Sequence, residues 1–198
     1  DQIWKGGEMI NSRAWMIGIL LIMAVICSSA LALVNYQTAP IIQRNNEIAY
    51  MSTVLNVFGI GFDSKNPEAT IETYNSKIVE SDAGGQNLFT DKDSGATAVS
   101  LAGSGFQGSM SFVVALDGDT ITGFKVVSQV ETPGLGARIT EDEFQNSFIG
   151  KKVSKGITMT KSSAGISEFD AITGATETSR ALETILNSGF TTYFSSVK

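Results

Sequence analysis

The first thing the chain shows is an uninterrupted apolar run. Ala14 to Tyr36 is almost wholly hydrophobic, and Arg13 and Arg44 bracket thirty residues without a charge. At about 1.5 Å per residue the run reaches roughly 34 Å, enough for a transmembrane helix. Trp15 and Tyr36 stand at its ends, as interfacial aromatics do. A secretory signal peptide is the competing reading, with Ser28-Ser29-Ala30 as its cleavage site, but its apolar core would be shorter. Lys5 and Arg13 precede the span and only Arg44 follows closely, which predicts a cytoplasmic tail over 1–13 and an extracytoplasmic remainder.

Beyond the span, Ile41, Ile48, Met51, Leu55 and Phe58 recur at helical spacing and predict a membrane-proximal amphipathic helix. Gly59 to Pro67 is rich in turn formers, so 37–67 reads as helix and linker and 68–198 as a separate domain. In that domain, strand-like runs cover Asn87–Thr90, Ala96–Leu101, Ser109–Leu116, Thr120–Gln129 and Lys152–Thr160. Asp93-Ser94-Gly95 and Asp117-Gly118-Asp119 supply turns, the second as a hairpin. Thr140 with Glu143 reads as a capping box for a short helix carrying Phe144 and Phe148 and stopping at Gly150. A final helix spans Thr176 to Phe194, with Ala181, Leu182, Ile185 and Leu186 on one face. The expected class is α+β: antiparallel strands with flanking helices behind one transmembrane helix.

Composition narrows the chemistry. The 198 residues contain no His and one Cys, Cys27, inside the apolar span. That excludes a Ser-His-Asp triad, a Cys-His pair, His-ligated metal sites, CxxC redox pairs and a cysteine-held iron–sulfur cluster. With a net charge of −6 and scattered cations there is no footprint for nucleic acid. Neither GxGxxG nor a P-loop occurs. Any chemistry here is expected to come from a cofactor, with no catalytic side chain and no metal.

Two segments could hold one. Glu131-Thr132-Pro133-Gly134-Leu135-Gly136 follows the longest strand, and its Pro and glycines let the backbone lie flat against a planar ligand. The same residues also suit a plain type II turn. Asp170-Ala171-Ile172-Thr173-Gly174-Ala175-Thr176-Glu177-Thr178-Ser179 crowds hydroxyls around a glycine turn at a helix start, where backbone N–H groups and the helix dipole would hold a phosphate. Ordinary N-capping by Ser or Thr explains that pattern equally well.

Together the two segments resemble the flavin-binding subunits of ion-translocating electron-transport complexes: the G subunit of Rnf complexes and, related to it, the C subunit of sodium-translocating NADH:quinone oxidoreductase (Nqr). The family has an ETPGLG loop followed by D-x-x-[ST]-G-A-T-x-[ST]-[ST], matched here at Glu131–Gly136 and Asp170–Ser179. GFQG at Gly105–Gly108, the DGD hairpin, GKK at Gly150–Lys152 and the single membrane helix extend the likeness over nearly the whole chain. The compact chain and GFQGSM favour the Rnf G subunit.

The resemblance implies FMN bound covalently, its phosphate esterified to Thr176 by a separate flavin transferase that uses FAD and recognises Asp170 through Thr176. Thr173, Gly174, Ala175, Thr178 and Ser179 would surround the phosphate. Glu131, Thr132, Gly134, Leu135 and Gly136 would approach the ring, with Lys161 as a cation near its pyrimidine end. The implied role is electron transfer within a membrane-bound ferredoxin:NAD oxidoreductase, beside membrane subunits carrying an iron–sulfur centre and a second covalent FMN. A second D-x-x-[ST]-G-A-T, Asp91–Thr97, has Val99 where Ser or Thr is needed and no helix after it, so Thr97 is expected to stay unmodified. Two further readings are a membrane-tethered binding or assembly module without flavin, and a stand-alone flavin reductase.

Overall fold

The computed structural model describes residues 4–82, 84–162 and 165–196. Helix α1 runs from Trp4 to Val57. Contacts divide the chain after Glu47 into two units, so α1 contributes to both. Within the first unit the apolar side chains from Trp15 to Tyr36 are largely exposed, and α1 is long and apolar enough to cross a membrane. Pro40 sits inside it and, lacking an N–H, forgoes a bond to the carbonyl of Tyr36 without ending the helix.

The second unit is built on a five-stranded antiparallel meander in spatial order β1-β2-β3-β4-β5. The strands are β1 (Ile78–Asp82), β2 (Asn87–Asp91), β3 (Thr97–Ser104), β4 (Ser109–Asp117) and β5 (Thr120–Ser128). The DGD turn joins β4 and β5 as expected, with Gly118 at φ 61°. Alternation sorts β4 between two cores: Met110, Phe112, Val114 and Leu116 face one way, and Val113 and Ala115 the other. Both faces are therefore covered.

On the first face lies α4 (Thr176–Ser196), seating Leu182, Ile185, Leu186 and Phe190 in the core. It comes close because β3 and α4 each offer a glycine: a Cβ on Gly103 would meet Ile185 at 2.6 Å, and one on Gly189 would meet Leu101 at 2.5 Å. On the second face lie Val54, Leu55 and Val57 from the end of α1, with Tyr74 from α2 (Pro67–Lys77). The end of the helix expected from the spacing of Ile41, Ile48, Met51, Leu55 and Phe58 thus packs into this core. Asn66 caps α2, its Oδ1 accepting from the N–H groups of Glu68 and Ala69.

Neither α2 nor β1 is foreseen from the sequence, because each buries too few apolar residues to show a period: Thr70 and Tyr74 in α2, Ile78 alone in β1. Two expectations need correction. The run Lys152–Thr160 is strand only at β6 (Thr158–Thr160), which pairs in parallel with β7 (Glu168–Asp170), plus one bridge from Lys152 to Thr120. Gly156 turns the chain at φ 87°, and Asn187 occupies the backbone of Ile157, accepting from its N–H at 2.7 Å and donating to its carbonyl at 2.9 Å. The capping box is also absent. Thr140 ends a 3-10 turn (Gly136–Thr140) and donates to Ala137 O, so Glu141 precedes α3 (Asp142–Asn146) without a side-chain cap, and Phe148 lies beyond it.

Candidate flavin site

Three turns meet at the start of α4. In the first, Leu135 N donates to Thr132 O at 3.1 Å across Pro133 and Gly134, the latter at φ 75°. These are the features of a type II turn. In the second, Ala175 N donates to Ile172 O at 2.9 Å across Thr173 and Gly174, with Gly174 at φ 82°. Leu135 lies over that glycine, since a Cβ there would sit 3.2 Å from its Cδ2. The third is the GFQG turn, closed by Gly105 N donating to Gly108 O at 2.6 Å.

Glu131 binds them together. It is 5% exposed; its Oε1 accepts from Gln107 N at 3.0 Å and its Oε2 from the Thr178 hydroxyl at 2.8 Å. Gly136 lets the loop lie against this pair, because a Cβ would meet Thr178 Oγ1 at 2.5 Å and Glu131 Oε2 at 2.7 Å. Gln145 fixes the other side of the loop, donating to Thr140 O at 2.7 Å and accepting from Val126 N at 3.0 Å. Ile139, fully buried, anchors the 3-10 turn between them.

The result is an open pocket of about 330 Å³. Glu131, Thr132, Leu135, Gly136, Gly174, Ala175, Thr176 and Thr178 line it, so most of the expected site converges. Phe106 and Glu177 line it as well and are not foreseen as site residues. The GFQG motif was the available signal for Phe106.

The hydroxyls of the second motif divide into two groups. Thr178 and Ser179 are buried and committed to the fold, with the Ser179 hydroxyl accepting from Ile172 N at 3.0 Å and donating to Ala175 O at 3.1 Å. Ser179 therefore shapes the turn from behind. Thr173 and Thr176 are exposed, and among the described residues neither hydroxyl has a hydrogen-bond partner. Thr176 opens α4, whose first-turn N–H groups lack carbonyls four residues back and so suit an anion.

Other expected residues lie elsewhere. Asp170 and Thr173 face a neighbouring cavity of about 240 Å³ with Arg138, whose guanidinium Glu141 holds above its ordinary pKa by hydrogen bonding. Gly134 is exposed at the tip of its turn. Lys161 is exposed just after β6 and is not among the residues lining the pocket. Thr97 is half-buried within β3, 3.2 Å from the Tyr193 hydroxyl, and Asp91 is spent capping the turn before it, accepting from Asp93 N and Ser94 N.

A fold of this kind, with a glycine-lined pocket at a helix start, is that of an FMN-binding domain, and the FMN-binding domain family matches residues 105–191. The G subunit of the ion-translocating oxidoreductase complex of Erwinia tasmaniensis is 32% identical over 82% of this chain and 81% of its own. The G subunit of the Na(+)-translocating ferredoxin:NAD(+) oxidoreductase complex of Acetobacterium woodii is 28% identical over 88% of each. The 42% identity to the corresponding G subunit of Methanosarcina acetivorans is local, spanning 42% of this chain and 44% of that one. Among solved structures, the C subunit of the Na(+)-translocating NADH-quinone reductase of Parabacteroides distasonis superposes with a TM-score of 0.65 at 25% identity, over 77% of this chain and 94% of that one. The chain belongs to the G-subunit family of ion-translocating oxidoreductase complexes.

The pocket suits FMN on its own evidence. Gly136 and Gly174 bring backbone to its wall where side chains would intrude, apolar Leu135 and Phe106 are exposed at its edge, and a free hydroxyl stands beside the helix start. These match a planar ring carrying a phosphate.

Proposed function

We propose that the chain carries FMN covalently on Thr176 and passes electrons within a membrane-bound, ion-translocating ferredoxin:NAD oxidoreductase of Rnf type. The observation that carries the attachment site is the division of hydroxyls: Thr176 is exposed, unbonded and in the pocket, whereas Thr178 and Ser179 are enclosed. Among the described residues the Thr176 hydroxyl has no hydrogen-bond partner to take its proton, so a flavin transferase forms the bond. The Thr176 oxygen attacks the FMN phosphorus of FAD, AMP leaves, and the hydroxyl proton is released. Gly174 borders the phosphate, with the first-turn N–H groups of α4. Thr132, Leu135 and Gly136 border the ring, and Gly134 sets the turn.

The ferredoxin:NAD couple follows the Acetobacterium relative, and neither substrate binds this chain. The other partners are the membrane and peripheral subunits of such a complex and the lipid around α1. The tail over 1–13 is cytoplasmic, and the flavin domain from 68 onward is extracytoplasmic, in keeping with the Lys/Arg bias. The likeness to a solved Nqr-type C subunit supports the alternative of an Nqr-type complex. The longer sequence matches to G subunits favour Rnf.

Peptide mass spectrometry on the full chain made with a flavin transferase tests this. A gain of one FMN less one water on the peptide containing Thr176, lost in Thr176→Ala, is the expected result. Absence of that gain in protein from the native membrane rejects it.

A further inference from the structure

Glu131 stands out from the rest of the pocket wall because its carboxylate is fully engaged by the protein. Gln107 N donates to Oε1 at 3.0 Å and Thr178 Oγ1 to Oε2 at 2.8 Å, while its own N–H goes to Gln129 Oε1 at 2.6 Å. Glycines close on it from both sides: a Cβ on Gly105 would fall 2.5 Å from Oε1, and one on Gly136 2.7 Å from Oε2. There is no room for another group to reach either oxygen along those approaches. Among the described residues no Lys or Arg pairs with Glu131, whereas the pocket's other carboxylate, Glu177, is exposed and paired with Arg180 at 2.6 Å.

We propose that Glu131 is a positioning residue that ties the GFQG turn, the ETPGLG loop and the first turn of α4 into one preformed pocket, and that its fixed charge lowers the reduction potential of FMN there. This rests on the flavin reading of the pocket. Electrons arriving from a neighbouring carrier add negative charge beside a carboxylate with no cation to offset it. In a partly buried site that repulsion is screened less than in water, so the reduced form is disfavoured. The bonds from Gln107 and Thr178 hold the charge in place. Glu131 itself neither gives nor takes an electron.

The test uses the full chain, made with a flavin transferase and held in lipid nanodiscs. Spectroelectrochemistry gives the midpoint potential, and in-gel fluorescence gives the rate of FMN uptake. Glu131→Gln keeps the shape, its oxygen accepting from Gln107 and its amide facing the Thr178 hydroxyl. It is expected to raise the potential. Glu131→Ala is expected to slow uptake by roughly tenfold or more, with Glu131→Gln within about twofold of the parent; a tenfold change corresponds to about 1.4 kcal/mol. An unchanged potential in Glu131→Gln overturns the role of the charge, and unchanged uptake in Glu131→Ala overturns the tie.

If the parent chain takes up no FMN, the flavin reading fails, and amide exchange in the flavin-free protein then decides the tie. Exchange at Gln107 roughly tenfold faster in Glu131→Ala, but near parental in Glu131→Gln, supports it. Equal exchange in all three overturns it.

Discussion

The Thr178 hydroxyl donates to Glu131 Oε2 at 2.8 Å, joining residues 47 apart in the chain, both buried. Removing the donor strands a carboxylate oxygen where Gly136 leaves water little access. Thr178→Val is expected to destabilise the domain by about 1–3 kcal/mol, with Thr178→Ser close to the parent. Thermal melts of the full chain in detergent read the difference, and an unchanged melting temperature for Thr178→Val contradicts it.

Gly136 has no alternative at its position. A Cβ there would overlap Thr178 and Glu131 together, so Gly136→Ala is expected to cost about 1–3 kcal/mol and to lose FMN uptake. Gly134→Ala meets no neighbour but is strained at φ 75°, and its cost is expected to be about 1 kcal/mol. Melting temperature and in-gel fluorescence on the two variants separate the effects.

The second copy of the short motif provides a control. Thr97→Ala removes a contact with Tyr193 but touches no wall of the pocket, so covalent flavin is expected at the parental level. Loss of flavin in this variant, with retention in Thr176→Ala, reverses the proposed assignment.

Asp91 makes stability depend on acid. The Ser94 hydroxyl, and then the N–H groups of Asp93 and Ser94, hold its pKa below the ordinary 3.8, while burial opposes them. A carboxylate depressed in the folded state stabilises it fully above the unfolded pKa and loses that contribution as pH falls through the folded one. Asp91→Asn is therefore expected to be less stable than the parent at pH 7, with the gap narrowing below about pH 4. Melting curves at the two pH values measure this, and a constant gap refutes it.

The end of α1 is held by a similarly close approach. A Cβ on Gly123 of β5 would overlap the carbonyl oxygen of Val57, which must shift to admit it. Gly123→Ala is expected to destabilise the second core by about 1–3 kcal/mol and to hasten proteolysis near Gly59. Limited proteolysis followed by mass spectrometry tests it.

Much of this molecule is written locally. The apolar run, the alternation in β4, the DGD hairpin and the face of α4 each follow from short-range spacing, because a helix or strand that must bury one face declares it every two to four residues. The two glycine turns are legible for the same reason, since positive φ at Gly134 and Gly174 is a property of single residues. The sequence by itself thus determined these elements and the two glycine turns, because each is set by residues close together in the chain.

Tertiary structure alone decided what those loops do to each other. Thr176 and Thr178 lie two residues apart on one motif and both line the pocket, yet the Thr176 hydroxyl is exposed and that of Thr178 is buried, because Glu131 arrives from a distant strand end to claim it. Thr140 reads as a cap until the preceding 3-10 turn takes its hydroxyl, and Lys152–Thr160 reads as strand until Asn187 takes the backbone of Ile157. Hydrogen-bond partners and enclosed volumes are set by which segments meet, and no local pattern records a meeting between residues far apart in the chain.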